Sequence, residues 1–450
     1  MSIESISFEV RDEFQRKPIA EKVIRLLESD IQVSPMIIDG SWGTGKTEFC
    51  RKLINLIKSD GFQLRPVYID AFKADHADEP LMTLLSAVLK LLPEAERHSL
   101  MEAALPVAKF AVKTGLKAGV SWLLKQDVAD VAEGFASDLK SAGDEAVSYA
   151  IESLLTDHIE AEEKIEALKK ALQEIAKDSP IVIFVDELDR CRPDFAVSML
   201  ESIKHVFDVE NVQFVLVTNS TQLRASINHC YGAAIEAQRY LDKFIAFSFR
   251  LPETFKPDGY RAVSASINHM RKLVADSELL TPGLNKEHLD FLDLLIRENQ
   301  LSLREVETFV QHLELYQILA VGDHKIQVNT FFGYVQLWLF GVFLFCFKPE
   351  VANQLGKGEV DPSLVAKAVG KDCIKAADSL QENWPDSADI ITAIAAFEAT
   401  ENRQEFKIDG DEATASWHDI IRQFFQSSAP HGSIIEVVVS AIETLQLGGK

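Results

Sequence analysis

Along the first half of the chain, apolar positions fall into two alternating patterns. Short β-rich runs occur at Met36-Ile37-Ile38, Arg65–Phe72, Ile181–Val185, Gln213–Val217 and Phe244–Phe249. The most apolar of these, Ile181–Val185, is continuous rather than alternating, as a strand covered on both faces requires. Between the runs, apolar residues recur at helical spacing. In Phe14–Ser29, Ile19, Val23, Leu26 and Leu27 share one face, and Glu48–Ile57 and Pro80–Leu92 read as further helices. Five strands separated by helical stretches predict an α/β fold with a doubly wound parallel sheet, which takes ligands at the carboxyl ends of its strands.

The pattern also divides the chain. Residues 1–93 and 178–252 form the predicted sheet domain, 94–177 a helical insertion, 253–330 a helical lid and 331–450 a C-terminal helical domain. No convincing strand follows Pro252. The insertion is alanine-rich, basic at Lys109, Lys113 and Lys117, then acidic through Asp127, Asp130, Glu133, Asp138, Asp144 and Glu145. Its apolar stretch Ala103–Leu124 makes a poor membrane span, because three lysines on one helix face would each cost about 2.5 to 3.5 kcal/mol near a bilayer centre. It reads as a helix packed on its own domain, or as an amphipathic helix meeting a partner or a surface. The longest apolar run, Phe331–Phe347, lies at the lower edge of bilayer-spanning length and reads as a buried helix, with a membrane anchor as the alternative. Lys348-Pro349 ends it.

Charge and cysteine content narrow the function classes. With 46 Lys+Arg against 69 Asp+Glu, the formal net charge of −23 disfavours nonspecific binding to nucleic acid or to an anionic membrane. Five widely spaced cysteines, Cys50, Cys191, Cys230, Cys346 and Cys373, suggest neither a disulfide framework nor a CxxC metal pair. Together with an acidic rather than basic start over Met1–Val10, they predict a cytoplasmic protein.

Chemistry concentrates where the first strand ends. Gly40-Ser41-Trp42-Gly43-Thr44-Gly45-Lys46-Thr47 is a complete GxxxxGK[ST] phosphate-binding loop, set between a strand and a helix as its chemistry requires. Its glycines let successive backbone N–H groups converge on phosphate, Lys46 reaches the outer two phosphates, and the Thr47 hydroxyl suits Mg2+. The predicted nucleotide-binding set is Gly40 to Glu48, with Arg16 reaching the base or phosphates from the side or serving as a structural charge.

The run Ile181–Val185 ends in Asp186 and Glu187, where Asp186 suits a metal-ligating role and Glu187 that of orienting or deprotonating water. Asn219, at the end of the next strand, reads equally as a hydrogen-bond partner for water and the outer phosphate or as a turn-forming residue. Arg304 lies in a first helical turn behind Ser302, where the helix dipole does not favour a cation; it reads equally as serving a purpose beyond helix stability or as a solvated charge.

These motifs resemble those of the KAP family of P-loop NTPases, within the additional-strand group of ATPases. The tryptophan-containing loop Gly40–Thr47, Asp186-Glu187-Leu188-Asp189-Arg190-Cys191, Tyr240-Leu241-Asp242-Lys243 and Leu303-Arg304-Glu305 occur in that family's order over roughly residues 12–350. The resemblance implies ATP with Mg2+, a helical insertion between the two nucleotide motifs, and Arg304 as a catalytic sensor in the same chain; because phosphoryl transfer spreads negative charge that an arginine from a neighbour can meet, Arg190 and Arg239 are further candidates for such a contact. It further implies signalling or conflict systems, often in defence against phage. The family often has Asp where this chain has Glu187, and tends to have Asp where it has Asn219. Two functions are compatible: an ATPase that drives or resets movement in a protein assembly, or a nucleotide-controlled switch and scaffold with slow hydrolysis.

Overall fold

The computed structural model describes residues 6–91 and 179–448, apart from 60, 78, 79, 207, 258, 376–384, 401, 402 and 409, and between 92 and 178 only 165, 169, 172, 173 and 175–177. The lysines and acidic run expected in the insertion, and the stretch Ala103–Leu124, lie outside the described residues. The chain divides into two compact units, Met1–Pro252 and Glu253–Lys450.

In the first unit the order is α1 (Lys17–Leu27), β1 (Met36–Asp39), α2 (Lys46–Ser59), β2 (Arg65–Asp70), α3 (Ala71–Ala74), α4 (Pro80–Leu89), β3 (Ile181–Asp186), α5 (Pro193–Val206), β4 (Val212–Thr218), α6 (Ser220–Tyr231), α7 (Ala237–Asp242) and β5 (Phe247–Arg250). The five strands form one parallel sheet ordered β2-β3-β4-β1-β5. Successive strand side chains point to opposite faces. Ile37, Ile181, Ile183, Val185, Phe214 and Leu216 therefore join one core with Phe195, Met199 and Ile203 of α5 and Leu223 and Ile227 of α6. Met36, Ile38, Val182, Phe184, Val215 and Val217 join another with Val23 and Leu27 of α1 and Phe49, Leu53 and Ile57 of α2. Each buried side chain of this size contributes about 1.5 to 3 kcal/mol. Apolar neighbours along one strand thus serve two cores, which is why β3 carries no polar residue before Asp186.

Two local expectations shift. The helix expected over Phe14–Ser29 starts at Lys17, with Pro18 in its first turn. The fifth strand pairs from Phe247 rather than Phe244, whose side chain instead enters the core beneath the sheet.

The second unit opens with a feature absent from the sequence reading, an antiparallel ribbon of β6 (Thr254–Phe255) and β7 (Val263–Ser264). Strands of two residues leave no period to detect. Helices α8 (Ala265–Asp276), α9 (Lys286–Glu298), α10 (Leu303–Leu319), α11 (Phe332–Phe347), α12 (Pro349–Gly356), α13 (Pro362–Ala368), α14 (Ser387–Phe397), α15 (Asp411–Phe424) and α16 (Ile435–Leu445) follow. One core runs from Met270 to Ile442 and takes in residues on both sides of position 330. The apolar run forms α11, whose residues Val335 to Leu344 are all buried. At Gly341 an added Cβ would lie 2.6 Å from the Val438 carbonyl oxygen, so α16 approaches α11 more closely than any side chain would allow. Among the described residues, no helix is long and apolar enough to cross a membrane.

Candidate nucleotide-binding site

The phosphate loop spans the gap between Asp39, the last residue of β1, and Lys46, the first of α2. Gly43 (φ 76°) and Gly45 (φ 82°) take left-handed conformations that fold it back on itself, and the Thr44 hydroxyl donates to the Ser41 carbonyl at 2.9 Å. The first backbone N–H groups of α2 have no partner within the helix and lie at its positive end, which makes the loop an anion cradle. Lys46 is buried, and its Nζ donates to the carbonyls of Gly40 at 2.6 Å and Ser41 at 3.0 Å. Burial lowers its pKa, opposed by the charges of Asp189, Asp186 and Asp39. Incoming phosphate oxygens would exchange with those two carbonyls for the same ammonium.

Two arginines meet the loop. Arg16 is buried, its guanidinium donating to the Thr44 carbonyl at 3.0 Å and to the Pro252 carbonyl at 3.1 Å, so it braces the loop through the backbone. Arg250 ends β5, in register with Asp39 of β1, and donates to the Ser41 hydroxyl at 3.2 Å. Glu48 forms an ion pair with Lys52 one turn along α2, at 2.7 Å.

At the end of β3 the Asp186 carboxylate is 1 % exposed. It accepts from the Tyr68 hydroxyl at 3.0 Å and the Glu187 backbone N–H at 2.8 Å, and the Thr47 hydroxyl beside it favours its charged form. Burial outweighs these bonds and pushes its pKa up to about 6. A buried carboxylate touching a hydroxyl is a pair of hard oxygen donors that suits Mg2+, a cation that completes its shell with phosphate oxygens and water. Glu187 follows in a left-handed conformation (φ 61°, ψ 25°), and its carboxylate pairs with Arg190 at 3.1 Å.

Asn219 caps α6, its side-chain oxygen accepting from Thr221 N at 3.0 Å and Gln222 N at 3.4 Å, which is the turn-forming alternative. Beside it, Asp39 accepts from Ser220 N at 2.8 Å. Arg304 belongs to the second unit, exposed in the first turn of α10 behind a capping box of Ser302 and Glu305. Arg239 is exposed and paired with Glu236 at 2.5 Å.

Three side chains at the site escaped the sequence reading of roles. Tyr68 holds Asp186, Arg250 holds Ser41, and Asp189 accepts from the Trp42 indole at 2.6 Å and the Thr218 hydroxyl at 3.2 Å. Only Asp189 had a local signal, as the third acid of Asp186-Glu187-Leu188-Asp189.

The strand bearing the loop and the strand bearing Asp186 are separated in the sheet by β4. This arrangement, with a phosphate loop feeding a helix and an acid-tipped strand two places away, defines a P-loop NTPase domain of the additional-strand kind. The family model for the KAP family P-loop domain matches residues 16–320. The chain belongs to the KAP family, and is at that level a nucleotide-binding protein and nucleotide hydrolase. A search of curated proteins finds no match.

Proposed function

We propose that the chain is a Mg2+-dependent ATPase whose hydrolysis drives or resets a conformational change in an assembly with a protein partner or with further copies of itself. The observation that carries this reading is the buried Asp186 carboxylate at the end of β3, beside Thr47 at the mouth of the phosphate loop and with Glu187 as the next residue. Lys46 and the loop N–H groups would bind the phosphates and offset the charge that spreads over the transferring phosphoryl oxygens. Thr47 and Asp186 would hold Mg2+, which supplies further charge neutralisation when bound. Glu187 would orient the attacking water and accept its proton. Arg304 is the candidate sensor arginine. The setting in anti-phage defence follows from the family resemblance alone.

The ion pair between Glu187 and Arg190 favours a second reading, in which turnover is slow until that carboxylate is released and the bound nucleotide acts as a switch. Glu187→Gln tests the choice. As an ATPase the variant binds MgATP with wild-type affinity and turns over at least a hundredfold more slowly. Equal hydrolysis in the two proteins would remove Glu187 as the base.

A further inference from the structure

Trp42 sits in the arch of the phosphate loop with half its surface exposed, so burial does little to fix the ring. What fixes it is one hydrogen bond from its Nε1 to Asp189 Oδ2, across 147 residues of sequence. Asp189 is itself buried. Its other oxygen accepts from Thr218 at the end of β4, and its charge leads those that oppose the burial of Lys46. The crest of the loop is thereby tied through Trp42 to Asp189 in the turn after β3, while Thr47 at its base lies beside Asp186, the last residue of that strand.

We propose that Asp189 is a positioning residue that holds the phosphate loop in its binding shape through the Trp42 indole. The inference rests on the reading of this loop as the nucleotide site. Successive N–H groups bind phosphate only when they already converge, and an unrestrained arch loses conformational freedom on binding. Losing a bond from a neutral N–H to a carboxylate should weaken binding about tenfold.

Asp189→Ala, which leaves the indole N–H no acceptor at this position, and Trp42→Phe attack the bond from its two sides, and the double variant completes a cycle. Titration with a fluorescent ATP analogue should show about tenfold weaker binding in each single variant and no further loss in the double variant. Tryptophan emission without nucleotide should shift between wild type and Asp189→Ala, and should coincide between Trp42→Phe and the double variant. Wild-type affinity in both single variants, or losses that multiply in the double variant, would overturn the inference. A wild-type protein that fails to bind the analogue would instead overturn the reading of the loop.

Discussion

Replacing Asp186 with Asn removes a charge that the fold pays to bury. In the folded protein this carboxyl titrates near 6 against an ordinary 3.8, because burial outweighs the bonds from Thr47, Tyr68 and Glu187 N. A displacement of that size corresponds to about 3 kcal/mol against the ionised form. Asn keeps the shape but offers one carbonyl oxygen to donors that met two carboxylate oxygens. Although the hydroxyls can turn, about 1 kcal/mol is lost to imperfect pairing.

Without nucleotide or Mg2+, Asp186→Asn should therefore be more stable than wild type by about 2 kcal/mol at pH 8, or roughly 4 to 8 °C in Tm for a unit of this size. The sign follows from proton binding. The folded pKa is raised, so between about 4 and 6 the native state holds more protons than the unfolded chain, and wild-type stability falls as pH rises through that window. The gap between variant and wild type should open over the same window and stay level above it. Thermal melts in chelator from pH 4 to 8 measure this. A variant less stable than wild type at pH 8, or a gap that does not change with pH, would show that the Asp186 charge is not under strain. The same variant should gain no Tm from MgATP.

Two other perturbations address the remaining assignments. Lys46→Ala removes the buried ammonium and should weaken nucleotide binding at least a hundredfold by calorimetry; unchanged affinity would remove the phosphate-loop assignment. Replacing about Glu94–Lys177 with a short linker should spare nucleotide binding but abolish self-assembly or partner recruitment, read by light scattering and pull-down, and intact assembly would reduce the insertion to a cover for the sheet.

What the sequence made legible is what short-range chemistry encodes. The loop from Gly40 to Thr47 and the run ending at Asp186 are local strings, and the sheet followed from the spacing of apolar runs, each filling two cores at once. Contacts between distant residues were not legible. Nothing near Trp42 announces a partner at Asp189, and nothing near Tyr68 announces that its hydroxyl would hold Asp186. Arg16 was readable as a cation reaching the nucleotide from the side or as a structural charge, but not as a donor to two backbone carbonyls, which sequence cannot mark. Asn219 kept two meanings because the same amide suits a helix cap and a phosphate, and its neighbours Thr221 and Gln222 take the oxygen for the cap.

The backbone at Glu187 limits which residues evolution can place there. At φ 61° a β-branched side chain is a steric outlier, and Gly, Asn and Asp are the residues that tolerate the conformation best. Glu is thus not the residue the turn would select for itself. Ranked for folding alone, position 187 should favour Gly and Asn; ranked for turnover, it should favour carboxylates, with Glu distinguished from Asp by one methylene of reach. The two rankings disagree at a single codon, and a saturation library scored separately for abundance and for hydrolysis would display that conflict directly.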